Sequence, residues 1–312
     1  MGTNLVENVE TPLRVAIGTT ATYEPWPRPP WLTETIWPFP TRALQVDGAK
    51  MAIANVGSGP VLLFANTGLS SIIWRDAMSM LAADFRCVCL DAPGTGLSEP
   101  PPAGKIDLES SARAVTAAIR RLELEDLVLI VHDLGGLTAL AGASELAQRV
   151  RGIVAVNTFA WRPTQFRFRA MLKLMGSPLV REFDVATGLL AWITSTSFGA
   201  GRNLDHTGRR ALRSAIGRDG LRAFHRLMGE ALDSEPLYER VQRALTDEFR
   251  DVPVLTIFGE RNDPFAFQAR WKALFPEVRQ VVVKDGHHFP MCDDPALVAS
   301  SVSSWYRDVL AA

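Results

Sequence analysis

The run Val131-His132-Asp133-Leu134-Gly135-Gly136 sets one carboxylate between an apolar stretch, Leu127 to Val131, and an Ala/Leu-rich helical pattern, Leu137 to Ala147. A strand, a sharp turn with small residues just past its apex, then a helix, is the context of a nucleophile elbow. The usual apex is Ser, which forms an acyl-enzyme with esters and amides. A carboxylate attacking an acyl carbon would form a high-energy anhydride. At a saturated carbon bearing a leaving group it forms an ordinary ester, which water can open. Asp133 therefore points to displacement at an alkyl carbon (a carbon–halogen bond, an epoxide or a strained lactone) and away from lipase or peptidase chemistry. Asp also favours helix N-caps; the apolar strand before it and the Gly pair after it favour the elbow.

A triad built on such an elbow follows the chain order nucleophile, acid, His. The histidines are His132, His206, His225, His287 and His288. His132 is part of the elbow itself, and His206 and His225 fall in a helical insertion. That leaves the turn Gly286-His287-His288-Phe289-Pro290 after the last strand, with His288 as the expected base and His287 as its competitor. The acid should follow a strand end between elbow and base. Phe258-Gly259-Glu260-Arg261-Asn262-Asp263-Pro264 offers Asp263, with Glu260 as the second choice. Asp before Pro is also ordinary turn chemistry. A further acid position, after Ile153–Val156, holds Asn157, which is not a carboxylate.

The roles follow from the chemistry. Asp133 attacks carbon, His288 deprotonates the water that opens the ester, and Asp263 orients and stabilises the imidazole. The backbone N–H groups of Leu134 and Thr67 are the expected oxyanion donors, each contributing roughly 2.7–4 kcal/mol.

The elements that must position these groups are legible as alternating patterns. Strand-like runs are Arg42–Val46, Met51–Val56, Val61–Ala65, Cys87–Leu90, Leu127–Val131, Ile153–Val156, Val254–Phe258 and Gln280–Val283. Helical patterns lie near Ser71–Ala83, Leu108–Leu122, Leu137–Gln148, Ala266–Leu274 and Pro295–Ala311. Continuous apolar strands alternating with amphipathic helices predict a mostly parallel, eight-stranded sheet covered by helices on both faces. Residues 1–40 read as a Pro/Trp-rich wrap, where Pro prevents regular pairing. Residues 158–250 carry helical patterns, few strand signals and many aromatics, and read as a helical cap. The α/β core is then 41–157 and 251–312.

With 312 residues, 47% of them hydrophobic, the chain can bury a large core. The net charge of −1 and the lack of a prominent basic patch argue against nucleic acid as a partner. No apolar run approaches membrane-span length, and no membrane partner is expected. Cys87, Cys89 and Cys292 form neither a disulfide nor a metal pattern, and no metal or cofactor motif is present. Met1 to Gly18 lacks the pattern of a signal peptide. A cytoplasmic protein acting on a small apolar organic substrate with water is the expectation.

These runs resemble the haloalkane dehalogenases of the α/β-hydrolase superfamily. Asp91-Ala92-Pro93-Gly94-Thr95-Gly96-Leu97-Ser98 is similar to the superfamily's D-x-P-G-x-G-x-S turn, and Ser70-Ser71-Ile72-Ile73-Trp74-Arg75 resembles the helix opening after the oxyanion loop. The Asp133 elbow, Asn157-Thr158-Phe159-Ala160-Trp161 and His288-Phe289-Pro290-Met291 extend the likeness over roughly residues 30–310. The resemblance implies the Asp133, Asp263, His288 triad and a halide held by two N–H donors. One family donor is a Trp just after the nucleophile, where this chain has Leu134. The other is an Asn in an H-G-N-P loop, where this chain has Ala65-Asn66-Thr67-Gly68, with Thr67 at the Asn position. Asn66 and the cap indoles of Trp161 and Trp192 are therefore candidate substrate-binding donors. An epoxide hydrolase would call for two cap Tyr hydroxyls, and only Tyr238 lies there. A strained-lactone hydrolase or decarboxylase needs no halide donors. A hydrolase-fold protein that only binds a ligand is the reading from outside enzymology.

Overall fold

The computed structural model describes residues 24–101 and 106–311; residues 1–23 of the N-terminal wrap lie outside them. In chain order the strands are β1 (Glu24–Pro25), β2 (Thr41–Val46), β3 (Ala49–Val56), β4 (Val61–Asn66), β5 (Arg86–Asp91), β6 (Leu127–Asp133), β7 (Val150–Thr158), β8 (Val254–Gly259) and β9 (Arg279–Val283). They form one sheet in the order β1-β2-β3-β5-β4-β6-β7-β8-β9. The pairs from β5 through β9 are parallel, and β1, β2 and β3 join antiparallel.

The sheet has nine strands among the described residues, one more than the sequence patterns predict. The addition is β1, two residues of the Pro/Trp-rich wrap pairing with Ala43 and Arg42. Pro25 is tolerated because an edge strand need not offer every N–H to a neighbour. The rest of the wrap is packed down by Leu32, Ile36, Trp37 and Phe39, all buried. Arg28 fastens it from outside, donating from Nη1 to the carbonyls of Trp37 at 2.7 Å and Leu32 at 3.2 Å.

Alternation along the central strands sorts the core into two layers. Leu129 and Val131 of β6 join one layer with α2 (Leu108–Arg121) and α3 (Gly135–Ser144). Val128 and Ile130 join the other with Trp74 and Trp305. Trp305 lies on α11 (Pro295–Trp305), which packs with α1 (Arg75–Leu81) beneath the sheet.

Between β7 and β8 the chain makes α4 (Phe166–Met175), α5 (Pro178–Thr187), α6 (Leu189–Thr194), α7 (His206–Glu230) and α8 (Glu235–Thr246). The last of these lies along α3 on the flank of the sheet. Its Leu237, Tyr238 and Val241 belong to the same core layer as α3. The helices α4, α5 and α6 instead pack on α7. His225 of α7 pins this group: its Nδ1 meets the Met175 carbonyl at 2.6 Å and its Nε2 meets Asp184 Oδ2 at 2.7 Å. Both ring nitrogens therefore face oxygens in the buried interior of the cap.

The strand ends of β4, β6, β7 and β8 open on one edge of the sheet, where ligands bind in open α/β sheets. The close approach of α3 to β7 there depends on Gly136. A Cβ at this position would lie 2.0 Å from Thr158 Oγ1 and 2.6 Å from the Phe159 carbonyl. Gly136→Ala is expected to destabilise the protein by about 1–3 kcal/mol through overpacking, read as a lower urea midpoint at unchanged slope.

Candidate active site

Asp133 ends β6 with φ +50, a conformation that side-chain-bearing residues adopt only when held there. What holds it is local. The β6–β7 register shifts between His132 and Asp133, and Thr158 Oγ1 donates to the Asp133 carbonyl at 2.6 Å. The helix α3 begins two residues later, so the carboxylate sits at a helix N-terminus, whose partial positive charge favours an anion. Burial pushes the Asp133 carboxyl up. The nearby His288 and His132 rings and the Leu134 N–H outweigh that and hold it below the usual carboxylate range. The group is ionised at neutral pH.

His288 follows β9 and brings Nε2 to 3.7 Å from Asp133 Oδ2. Two ties from strand ends place its loop. His132 Nε2 donates to the His288 main-chain carbonyl at 2.9 Å. Asn157 donates to the His287 carbonyl at 2.8 Å while its Oδ1 accepts from Gly259 N at 3.0 Å. The sequence pattern signals neither role: it excludes His132 as the base and Asn157 as the acid, and says nothing of what else they hold. For His132 burial, then the charge of His288, pushes the pKa down to about 3, so the ring is neutral and donates from Nε2. His287 turns toward the cap, with Nδ1 2.7 Å from Arg202.

Asp263 lies elsewhere. Its Oδ1 accepts from Phe267 N at 2.6 Å and its Oδ2 from Gln268 N at 3.0 Å. These are the unpaired first amides of α9 (Phe267–Leu274), which attract a carboxylate strongly. The side chain at His288 Nδ1 is the preceding residue's, with Asn262 Nδ2 at 3.1 Å. A carboxamide can present either its N–H or its carbonyl to an imidazole. The N–H orientation keeps the ring proton on Nε2; the carbonyl orientation frees Nε2 to accept one. Glu260 is exposed and accepts from Asp285 N.

Around the apex the surface is mostly apolar. Thr67 is buried, with Oγ1 2.7 Å from Thr138 Oγ1. Thr138 Oγ1 in turn reaches the Leu134 carbonyl at 3.3 Å, which joins the β4 loop to the elbow. A Cβ on Gly68 would meet Phe224 of α7 at 3.4 Å and Leu134 at 3.8 Å, so α7 lies over this loop. Asn66 is not free. Its Oδ1 accepts from the Trp74 indole at 2.7 Å and its Nδ2 faces Cys89 Sγ at 3.6 Å. Trp161 is buried against Phe267 and Trp271, with Arg270 4.5 Å over its ring. Trp192 is 59% exposed on α6. Tyr238 is buried with its hydroxyl on the Ala231 carbonyl.

A strained carboxylate on a strand-to-helix turn, faced by a His after the last strand, is the arrangement of one large enzyme family, and its sequence profile, the alpha/beta hydrolase fold, matches residues 60–295. The chain belongs to that family. The hydrolase is 27% identical over 277 residues to haloalkane dehalogenase 2 of Mycobacterium tuberculosis, covering 86% of this chain and 95% of the relative. It is 26% identical over 172 residues to cis-3-alkyl-4-alkyloxetan-2-one decarboxylase of Shewanella oneidensis, covering 52% of this chain and 54% of that protein. A crystal structure of a haloalkane dehalogenase loop variant from Bradyrhizobium elkanii superposes with a TM-score of 0.70 at 21% identity, over 87% of this chain and 97% of the other, a likeness of fold. Among the described residues no group of His, Cys, Asp or Glu is arranged to hold a metal, and no helix is long and apolar enough to cross a membrane.

The depressed His132 pKa has a consequence for stability. The unfolded chain takes up this proton near 6.5 and the folded one only near 3. Its contribution is therefore whole above 6.5 and is lost as the pH falls from 6.5 toward 3. Urea unfolding across that range is expected to show a stability loss on acidification that is shallower in His132→Asn, which keeps a side-chain donor but cannot titrate.

Proposed function

We propose that this hydrolase breaks a bond to a saturated carbon of a small apolar substrate, in the manner of a haloalkane dehalogenase, through a transient ester on Asp133. The observation that carries the reading is the ionised carboxylate at the strained apex, with Leu134 N–H on it and the His288 imidazole within 3.7 Å. A carboxylate oxygen attacks carbon, and the leaving group departs with the bonding electron pair. Water then adds to the Asp133 carboxyl carbon as His288 Nε2 takes its proton. The oxyanion that develops on Asp133 falls to the N–H groups of Leu134 and Thr67. Collapse releases the alcohol and restores the carboxylate.

A second reading, ring opening of a strained lactone at its saturated carbon, is favoured by one set of observations. The candidate halide donors are turned elsewhere: Asn66 to Trp74 and Cys89, Trp192 to the outside. A lactone's leaving group stays tethered and carries its charge on two oxygens, so it needs no indole or amide cradle. The Shewanella oneidensis relative, named for an oxetanone substrate, supports the same direction. The epoxide reading loses support because Tyr238 is committed to a backbone carbonyl.

Intact-mass spectrometry of His288→Phe mixed with a panel of haloalkanes and β-lactones tests the ester. The expected result is an adduct with the mass of the substrate's carbon skeleton, mapped by digestion to Asp133 and absent in Asp133→Ala. No adduct from any substrate that wild type consumes would overturn the proposal. Turnover by Asp133→Ala is expected to fall by at least about 10⁴-fold. Halide release against lactone consumption by wild type then separates the two leaving groups.

The neighbours of His288 give a further expectation. Asn262→Asp puts a carboxylate at Nδ1, where it favours the imidazolium and moves the acidic limb of the pH–rate profile, below which the His288 base is protonated, up by about one pH unit. Asp263→Asn should leave that limb in place and cost about 1 kcal/mol of stability through the weakened α9 cap. The opposite pattern would assign the orienting acid to Asp263.

A further inference from the structure

Thirteen large hydrophobic side chains are exposed among the described residues, and nine of them fall within residues 166–198, on α4, α5, α6 and the turn that follows. Phe166 is 84% exposed, Leu179 82% and Phe198 71%. The inner faces explain why these helices form: Phe168 and Leu172 of α4, Val185 of α5 and Ala191 of α6 are buried, and all three helices pack on α7. The outer faces have no such partner. An amphipathic helix in an ordinary soluble domain turns polar residues outward, whereas here Phe166, Leu174, Leu179, Phe183, Trp192 and Ile193 point that way. An exposed apolar patch of this kind marks an interaction surface.

The charges around the patch say what covers it. On α4, at 3.6 residues per turn, Lys173 and Arg167 bracket the exposed stripe of Phe166, Ala170 and Leu174, and both cations are exposed. Over residues 158–250 Lys and Arg outnumber Asp and Glu by 15 to 10, while the whole chain carries −1, so this part of the molecule is basic and the remainder acidic. Aromatic and aliphatic side chains flanked by the exposed cations Arg167 and Lys173, with the exposed Glu182 among them paired to Arg181, have the composition of a segment that sits in the interface of an anionic bilayer. A second copy of the chain fits less well. An isologous contact through this face would bring Arg167 and Lys173 toward their own like charges.

We propose that the outer face of α4, α5 and α6 docks on the surface of an anionic lipid bilayer, with its apolar side chains in the headgroup boundary and Arg167 and Lys173 on lipid phosphates. The contact is peripheral and departs from the sequence expectation of no membrane partner, which concerned spanning segments. It sets the cap one helix away from lipid: α7, on which these three helices rest, carries Phe224 over the Gly68–Leu134 surface beside the nucleophile. A small apolar substrate concentrates in the same lipid phase. The docking is independent of the catalytic chemistry and is measured without turnover.

Vesicle flotation of the full chain tests it. With vesicles of equal parts phosphatidylglycerol and phosphatidylcholine the protein is expected to float, and with phosphatidylcholine alone to float far less. High salt should release it. Arg167→Gln with Lys173→Gln should weaken the partition about 30-fold, and Phe166→Ser with Leu179→Ser by about tenfold or more. All four positions are exposed, and an unchanged thermal midpoint checks that the variants fold. Failure to float, or flotation indifferent to both pairs, overturns the proposal. So does a dimer in sedimentation velocity that Phe166→Ser with Leu179→Ser dissociates, which would make this face a contact between copies.

Discussion

The hydrogen bond from the His132 ring to the His288 main-chain carbonyl joins residues 156 apart in sequence, and the arrangement of the active site depends on it. Asp133 and His288 belong to different strand ends, β6 and β9, that do not pair with each other. A loop after a sheet strand is free to take many positions, and fixing it costs conformational entropy. His132 removes that freedom at the elbow itself, one residue before the nucleophile. Asn157 does the same from β7, the strand between, by holding His287 and Gly259 together. Burial keeps His132 neutral, with Phe289 and Trp74 packed around its ring.

The strands were legible because each carries a continuous apolar run, and such runs have few ways to be buried except side by side in a covered parallel sheet. β1 was not, because its two residues include a Pro and its pairing is decided by Trp37 and Phe39 packing nearby rather than by its own pattern. The elbow was legible from residue types alone: an apolar strand, Asp133, then two glycines. The partner of His288 was not. Asn262 and Asp263 are adjacent, and which one faces the ring depends on where α9 begins. The unpaired amides of Phe267 and Gln268 compete for a carboxylate, and Asp263 is the nearer. No spacing rule carries that competition. The outward apolar faces of α4 to α6 were hidden for a related reason: a sequence pattern gives the width of an apolar stripe, not whether a second stripe has anything to pack on.

Electrostatics at the apex works by opposing terms. Burial alone would make Asp133 harder to ionise and so a poorer nucleophile at neutral pH. The imidazole of His288, the Leu134 N–H and the start of α3 each favour the anion, and together they prevail. The net result is a carboxylate that is ionised although mostly removed from water. Weak solvation raises the reactivity of an anionic nucleophile, since little water must be stripped from it before it reaches carbon.

That dryness also constrains what can leave. A departing anion in an apolar pocket needs donors or it is poorly stabilised. Recruiting the Asn66 Nδ2 as a donor would turn the amide away from Cys89 Sγ and take its Oδ1 off the Trp74 indole, leaving a buried N–H and a buried oxygen unpaired at roughly 1–3 kcal/mol each. In the proposed reaction halide departure would carry that penalty, whereas an anion that spreads its charge over two oxygens and stays attached to the rest of the substrate avoids most of it. In that reading the choice of leaving group is set less by Asp133, which suits either, than by the contacts that already occupy Asn66.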